Sequence, residues 1–283
     1  PQQSASMAKT SFPKNKINVV LVESIHPRAV EMLGAEGFNV QTMAGAPDEK
    51  KLAGLVKDAH VLGIRSKSEV TPPILAAAPK LLTVGCFCIG TNQVALKDAC
   101  EQGVAVFNSP FSNTRSVAEL TIAETIALHR RLGDKTLQMH QGEWDKSAAG
   151  SHEVRGRTIG IVGYGHIGSQ VSVLAEAMGM RVVFFDIIPK MALGNARAVR
   201  SLKELLEVSD VVTLHVPATN ATKNMLGKSE IARMKRGSYL INNARGSVVD
   251  VNALAAALKS GHLAGAALDV FPDEPAGKGD RFE

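Results

Sequence analysis

Thr158-Ile-Gly-Ile-Val-Gly163-Tyr-Gly165-His166-Ile167-Gly168 is the stretch on which the fold turns. A run rich in β-branched residues leads into a Gly-x-Gly-x-x-Gly turn, and helical periodicity follows over 167–178. That context gives the pattern its weight, because three glycines at this spacing are common by themselves. Gly163 is expected to permit the tight turn, Gly165 to let a pyrophosphate approach the backbone, and Gly168 to let helix pack close on strand. The helix N-terminus would offer free N–H groups and partial positive charge to the phosphates. Downstream, Arg181-Val-Val-Phe-Phe ends in Asp186, eighteen residues past Gly168. A carboxylate there accepts hydrogen bonds from the adenosine ribose hydroxyls and repels a 2′-phosphate. Ile187 and Ile188 come next, with no Arg, so the expected cofactor is NAD and not NADP. The alternative is a glycine-rich turn of another α/β fold with a helix-capping Asp; strand, glycines, helix and acid in one register weigh against it.

Outward from this motif the alternation continues. Short β-rich runs stand at 17–22, 61–64, 82–86, 104–107, 181–185, 210–214, 239–242 and 264–268. Helical stretches such as 27–36, 202–208 and 252–259 separate most of them. Strands alternating with helices build βαβ units and a parallel sheet, and continuous apolar runs put that sheet under cover on both faces. The alternation breaks once, where helical periodicity runs from Ser116 to about Gln138. Ser116 and Glu119 have capping-box spacing at its start, and 142–153 reads as a loop. The expected division falls near Ser109: 1–15 a disordered tail or tag remnant, 16–108 a first α/β domain, 109–283 the dinucleotide domain.

Composition narrows the class. The chain holds 283 residues, 45% hydrophobic and 4% aromatic, ordinary for one or two globular domains. No apolar run approaches the roughly 18 residues that cross a bilayer, and no charged stretch followed by an apolar one opens the chain. A cytoplasmic protein with no membrane partner is expected. The net charge of +5 is scattered along the sequence, which suits a small anionic substrate better than nucleic acid. Cys86 and Cys88, with one residue between them, have neither zinc-knuckle nor redox spacing. With Cys100 they read as buried, reduced thiols, and no metal site is expected.

Three further features end strands in the C-terminal third: Leu214-His215-Val-Pro, Asn242-Asn243-Ala244-Arg245-Gly and Ala267-Leu268-Asp269. Ligands of open parallel sheets sit beyond the carboxyl ends of the strands. Arg245 is therefore expected at the site, where a guanidinium can grip a carboxylate and a carbonyl oxygen together. A surface Arg after a strand is the plainer reading of that residue alone. Glu274 lies in Phe271-Pro-Asp-Glu274-Pro275, where a carboxylate can orient a His and hold its charged form; alone it would be an exposed loop acid.

In this order, the motifs resemble the D-isomer-specific 2-hydroxy-acid dehydrogenase family. Val84-Gly-Cys-Phe-Cys-Ile-Gly-Thr-Asn-Gln-Val94, Phe107-Asn-Ser-Pro-Phe-Ser-Asn-Thr-Arg-Ser-Val-Ala-Glu-Leu120, the 163–168 turn and Asp269-Val-Phe-Pro-Asp-Glu-Pro275 narrow the likeness to its bacterial and fungal members acting on 3-phosphoglycerate. It runs from about Lys16 to Pro275. The resemblance implies an α/β protein of two doubly wound parallel-sheet domains, a Rossmann NAD domain inserted into a flavodoxin-like substrate domain with the active site between them. It implies NAD-dependent oxidation of D-3-phosphoglycerate to 3-phosphohydroxypyruvate, a step toward serine. It gives Arg245 the substrate carboxylate, pairs Glu274 with a catalytic His, and puts His166, Ile167, Asp186, Asn243, Ala244 and Asp269 against NAD, with His215 beside it. Arg65 and Ser66, in Ile64-Arg-Ser-Lys67, and the loop residues Ile89 and Gly90 face the substrate. A homodimer or homotetramer is expected, joined near Trp144 and the long helix, whose Val117, Leu120, Ile122, Ile126 and Leu128 exceed what one sheet should cover.

One departure matters. The family's general base is a His in Pro-His-x-Gly about twenty residues beyond the glutamate, and this sequence ends at Glu283. His26, His60, His129, His140, His152, His166, His215 and His262 all precede Glu274, none in that motif. The expectation is a truncated chain, folded in part and nearly inactive until downstream residues are supplied. Three rivals stand beside this reading: a sister dehydrogenase of glycerate, glyoxylate or lactate, an NAD-sensing corepressor-like binding protein, and a plain structural role. Intact Arg245 and Glu274 count against the last.

Overall fold

A computed structural model describes residues 12–274. The chain divides into two compact units, Pro1–Ser112 and Asn113–Glu283, a few residues past the division expected near Ser109. The first unit contains β1 (Asn18–Leu21), α1 (Pro27–Ala35), β2 (Asn39–Thr42), α2 (Glu49–Val56), β3 (Val61–Ile64), α3 (Pro72–Ala76), β4 (Thr83–Cys86), α4 (Leu96–Glu101) and β5 (Ala105–Asn108). Its strands are all parallel in the order β2-β1-β3-β4-β5, the flavodoxin-like arrangement that the resemblance implied. Side chains alternate along each strand. Val19 and Leu21 pack with Ile25 on the α1 face. Val20, Leu62, Ile64 and Val84 meet Leu52, Val56, Ile74 and Leu75 of α2 and α3 on the other. β2 escaped the sequence reading because Asn-Val-Gln-Thr is polar; as an edge strand it stays largely exposed.

The second unit contains α5 (Thr114–His129), α6 (Leu132–His140), β6 (Thr158–Val162), α7 (His166–Ala177), β7 (Arg181–Phe185), β8 (Arg197–Ala198), α8 (Leu202–Val208), β9 (Val211–Leu214), α9 (Lys228–Arg233), β10 (Ser238–Asn242), α10 (Val251–Lys259) and β11 (Leu263–Leu268). The parallel order β11-β10-β9-β6-β7-β8 places β6 at the centre, flanked by β9 and β7, the Rossmann arrangement. β6, β9 and β10 are buried along their whole lengths. Val162, Val212, Leu214 and Leu240 face Leu205, Leu206, Ile231 and Leu254 of α8, α9 and α10. Ile159, Ile161, Phe184 and Ile241 face Ala118 of α5 and Val171 and Ala175 of α7. Side-chain caps fix helix starts: Ser201 Oγ accepts from the Glu204 N–H and Asp250 Oδ1 from the Asn252 and Ala253 N–H groups.

Four expectations need correction. The helix expected from Ser116 to about Gln138 is two helices, broken at Arg131 with φ +54°. At the break the carbonyl of His129 accepts from the His152 N–H at 2.8 Å. Nor do Ser116 and Glu119 cap it; Asn113 is the N-cap residue, and Glu119 instead pairs with Arg115 at 2.6 Å. Of the tail assigned to 1–15, residues 1–11 lie outside the described residues, and 12–15 are placed: Phe12 packs on the His60 ring, and Lys14 pairs with Glu36 at 2.6 Å. Of the thiols, Cys86 is buried and its pKa pushed up to about 11, by burial first and then by Cys88 and Glu23. Cys88 is half-buried and Cys100 exposed, since Cys100 lies on the outer side of the short helix α4. All three are free.

Candidate active site

The turn after β6 sits at the switch point of the Rossmann sheet, where β6 and β9 neighbour each other and the strand order reverses. Gly163 has φ +91°, and a Cβ on it would stand 2.5 Å from the His215 carbonyl oxygen at the end of β9. Its N–H donates to the Phe185 carbonyl at 2.9 Å, so the turn is held from both neighbouring strands. A Cβ on Gly168 would run into the Gly163 carbonyl and lie 3.1 Å from Ile161 Cγ2, which is the close helix–strand approach expected of it. Gly165 is the opposite case: no heavy atom lies within 4 Å of the place its Cβ would take. Open space therefore faces the first turn of α7, which starts at His166 and carries Ile167.

Asp186 lies just past β7. Its Oδ2 accepts from the Tyr164 N–H at 2.8 Å and its Oδ1 from the Ile188 N–H at 3.0 Å. The carboxylate is thereby aimed, and each oxygen keeps a lone pair for a hydroxyl donor. Tyr164, a variable position of the glycine turn, locks the whole corner. Its ring stacks on Phe184 at 3.7 Å, and its hydroxyl donates to Ser172 of α7 and accepts from the Leu193 N–H.

The loop after β10 is shaped by Asn242. Its Oδ1 accepts from the Ala244 N–H at 3.1 Å and its Nδ2 donates to the Arg245 carbonyl at 3.0 Å. Arg245 is exposed, with Nη1 donating to the Ala244 carbonyl at 2.7 Å. Directly after it, a Cβ on Gly246 would collide with the backbone carbonyl group of Phe271. The Arg245 and Glu274 loops are thus seated one on the other, and Glu274 Oε1 accepts from the Phe271 N–H at 3.3 Å. Asp269, at the end of β11, donates its N–H to the Asn242 carbonyl at 3.1 Å. Gly163, Asp186, His215, Asn243, Ala244, Arg245, Asp269 and Glu274 all fall at the carboxyl ends of the sheet's strands or on the loops that follow them, and Gly168 lies in the first turn of α7.

Two buried atoms at this end of the sheet have no hydrogen-bond partner among the described residues, His215 Nδ1 and Asn243 Oδ1. His215 Nε2 lies 3.0 Å from Thr213 Oγ1, and burial pushes the ring pKa down to about 4, so the imidazole is neutral at physiological pH. Asn243 Nδ2 donates to Glu124 Oε2 at 2.7 Å and to Thr121 Oγ1 at 3.2 Å. Burial raises the Glu124 pKa, nearby Asp269 adds to the rise, and the Asn243 bond opposes it. A dinucleotide fits these observations: a glycine cradle open in front of a helix N-terminus, an aimed carboxylate, and polar atoms awaiting partners.

In the first unit, Arg65 and Ser66 are exposed just beyond β3, and Ile89 and Gly90 half-buried beyond β4. Buried Gln93 brings these loops together, its Nε2 donating to the carbonyls of Arg65 at 2.8 Å and Gly90 at 3.2 Å. The Ile89 carbonyl accepts from Asn108 Nδ2 at 2.7 Å. Gln93 and Tyr164 stand inside the motif stretches without a role assigned to them, and Glu124 carries no motif signal. Among the described residues no cluster of His, Cys, Asp or Glu could hold a metal ion, and no helix is long and apolar enough to cross a membrane.

Fold order, glycine cradle and strand-end residues together define a dinucleotide-binding domain of dehydrogenase type. Residues 122–282 match the family described as D-isomer specific 2-hydroxyacid dehydrogenase, NAD binding domain, and the chain belongs to that family. It is 55% identical over 267 residues to the D-3-phosphoglycerate dehydrogenase of Dictyostelium discoideum, covering 94% of this chain and 66% of that protein. Identity to the D-3-phosphoglycerate dehydrogenase of Escherichia coli is 53% over 277 residues, covering 98% and 68% respectively. The chain thus spans about two-thirds of the length of these curated relatives. Among solved structures, the TT0316 protein of Thermus thermophilus superposes with a TM-score of 0.85 at 34% identity, covering 93% of this chain and 85% of that one.

Proposed function

We propose that the protein is an NAD-dependent D-3-phosphoglycerate dehydrogenase, oxidising its substrate to 3-phosphohydroxypyruvate in a route toward serine. The observation that carries this reading is Arg245, presented beyond β10 by the Asn242 clasp and backed by the Glu274 loop, on the same sheet as the glycine cradle. Bound NAD supplies the hydride acceptor. Arg245 grips the substrate carboxylate and stabilises charge on the C2 oxygen as the carbonyl forms. Glu274 is assigned to orient, and hold the charge of, the imidazole base that the family's Pro-His motif provides. Arg65 and Ser66 serve the anionic substrate. The assay is NADH formation by the native protein with D-3-phosphoglycerate beside glycerate and lactate; a clear preference for either of the latter would overturn the substrate.

NADP is expected to bind at least about tenfold more weakly than NAD, because Asp186 opposes a 2′-phosphate and Ile187 and Ile188 offer it no cation. Calorimetric titration of both cofactors checks this, and equal affinities would sink it.

A homodimer or homotetramer joined along α5 and α6 completes the proposal. Ile122, Ile126 and Leu128 are largely spent on the unit's own core. What remains bare is Leu120, Leu132, Leu137, Met139 and Trp144, the last 72% exposed. Bare apolar side chains gathered along α5, α6 and the loop after them support an association surface there. Light scattering at micromolar concentration should return at least twice the protomer mass, and a monomer would refute the idea.

A further inference from the structure

Glu23 belongs to no motif and to no role assigned above. It follows β1, is 7% exposed, and has φ +60°, with Ser24 next to it at φ +50°. Two consecutive L-residues in the left-handed region need strong local support. The support is hydrogen bonding across the sheet. Glu23 Oε1 accepts from the N–H groups of Arg65 at 2.9 Å and Ser68 at 2.8 Å, and Oε2 accepts from the Lys67 N–H at 3.0 Å. Burial works to raise its pKa, but the bonds from Lys67, Arg65 and Ser68 outweigh that and hold it below the usual carboxylate range. Successive backbone amides gathered around an anion form a nest, and here the anion is the protein's own. Gln93 holds the Arg65 carbonyl of the same turn. The backbone is therefore gripped through both its N–H and C=O groups, while the Arg65 and Ser66 side chains remain exposed.

We propose that Glu23 is a positioning residue for substrate: by drawing the Arg65, Lys67 and Ser68 amides onto its carboxylate, it fixes the turn that presents Arg65 and Ser66 to the anionic end of the hydroxy acid. This rests on the proposed function and deepens it. A carboxylate staple of this kind fixes an orientation that an apolar side chain of the same volume could not, since that side chain would leave the Arg65, Lys67 and Ser68 amides without their acceptor. Precise placement matters because catalytic geometry tolerates little looseness.

The test uses Glu23→Gln and Glu23→Asp in the native protein. Gln keeps the size but turns an NH2 group toward one of the three amides; Asp keeps the charge but shortens the reach. In Glu23→Gln the KM for D-3-phosphoglycerate should rise about tenfold to a hundredfold, with kcat changed less than about threefold and NAD affinity unchanged. Glu23→Asp should fall between, and amide exchange at residues 65–68 should quicken in both. A purely structural residue would lower the melting temperature and disturb kcat, KM and NAD binding together, and that result overturns the proposal. So does an unchanged KM in folded variants, or failure of both variants to fold; if only Glu23→Gln fails, the KM of Glu23→Asp decides. A wild-type protein preferring glycerate or lactate would overturn the substrate assignment instead, and the KM comparison on that acid would still judge Glu23.

Discussion

Replacing Arg245 with Ala is expected to lower kcat/KM for D-3-phosphoglycerate by about 10²–10³, with the melting temperature shifted by no more than about 2 °C. The two effects separate because the loop does not rest on the guanidinium. Asn242 clasps it through the Ala244 N–H and the Arg245 carbonyl, and Gly246 seats it against Phe271; all of these contacts survive the substitution. The Arg245 side chain itself is exposed, so its removal leaves no cavity. What disappears is a fork of donors able to hold a carboxylate and a developing oxyanion at once. Arg245→Lys should recover little, because an ammonium gives a point charge without the two-pronged geometry. NAD affinity should change by less than about tenfold, since the cradle at Gly163, Gly165 and Gly168 is untouched. Steady-state kinetics with cofactor titration measures all of this. An Arg245→Ala enzyme within about tenfold of wild type would remove Arg245 from the substrate site.

How much of this was legible beforehand follows from the range of the interactions. The β6 turn could be read because its chemistry is local: glycines, helix start and acid lie in one βαβ unit, and Gly163 and Gly168 stand in the turn and the close helix–strand contact expected of them. Arg245 and Asp269 were legible as strand ends, since parallel sheets put function there. Residues whose partners are remote were not. Glu23 looks like an acid in a loop until Arg65, Lys67 and Ser68 arrive from 42 to 45 positions away. Glu124 looks like one more acid on a helix until Asn243 meets it from 119 positions away. The break at Arg131 was hidden for the same reason: beside it the His129 carbonyl accepts from the remote His152 N–H. β8, two residues long, lies below any periodicity, and its pairing with β7 is a product of the sheet.

The glycine cradle allows a second large effect to be split into its parts. Gly163→Ala should destabilise the fold by about 2–4 kcal/mol, combining the cost of φ +91° for an L-residue with overpacking against backbone. Backbone is the operative word: the obstructing atoms are the His215 carbonyl oxygen and carbon, at 2.5 and 2.8 Å. They cannot retreat, because β6 and β9 are paired in register through Val162 and Leu214. A loss of that size corresponds to roughly 10 °C in melting temperature for a unit this large. Gly165→Ala should behave differently. Its φ of −84° and ψ of −154° suit alanine, and its Cβ enters space where no atom lies within 4 Å. Stability should therefore stay within about 0.5 kcal/mol. The methyl group would nevertheless occupy the approach to the α7 N-terminus that a pyrophosphate needs, so NAD should bind at least about tenfold more weakly. Thermal melts with and without NAD, beside a calorimetric titration of each variant, separate the two outcomes. Gly165→Ala that melts as low as Gly163→Ala, or that binds NAD as wild type does, would mean that the open space before His166 is not where the phosphates rest.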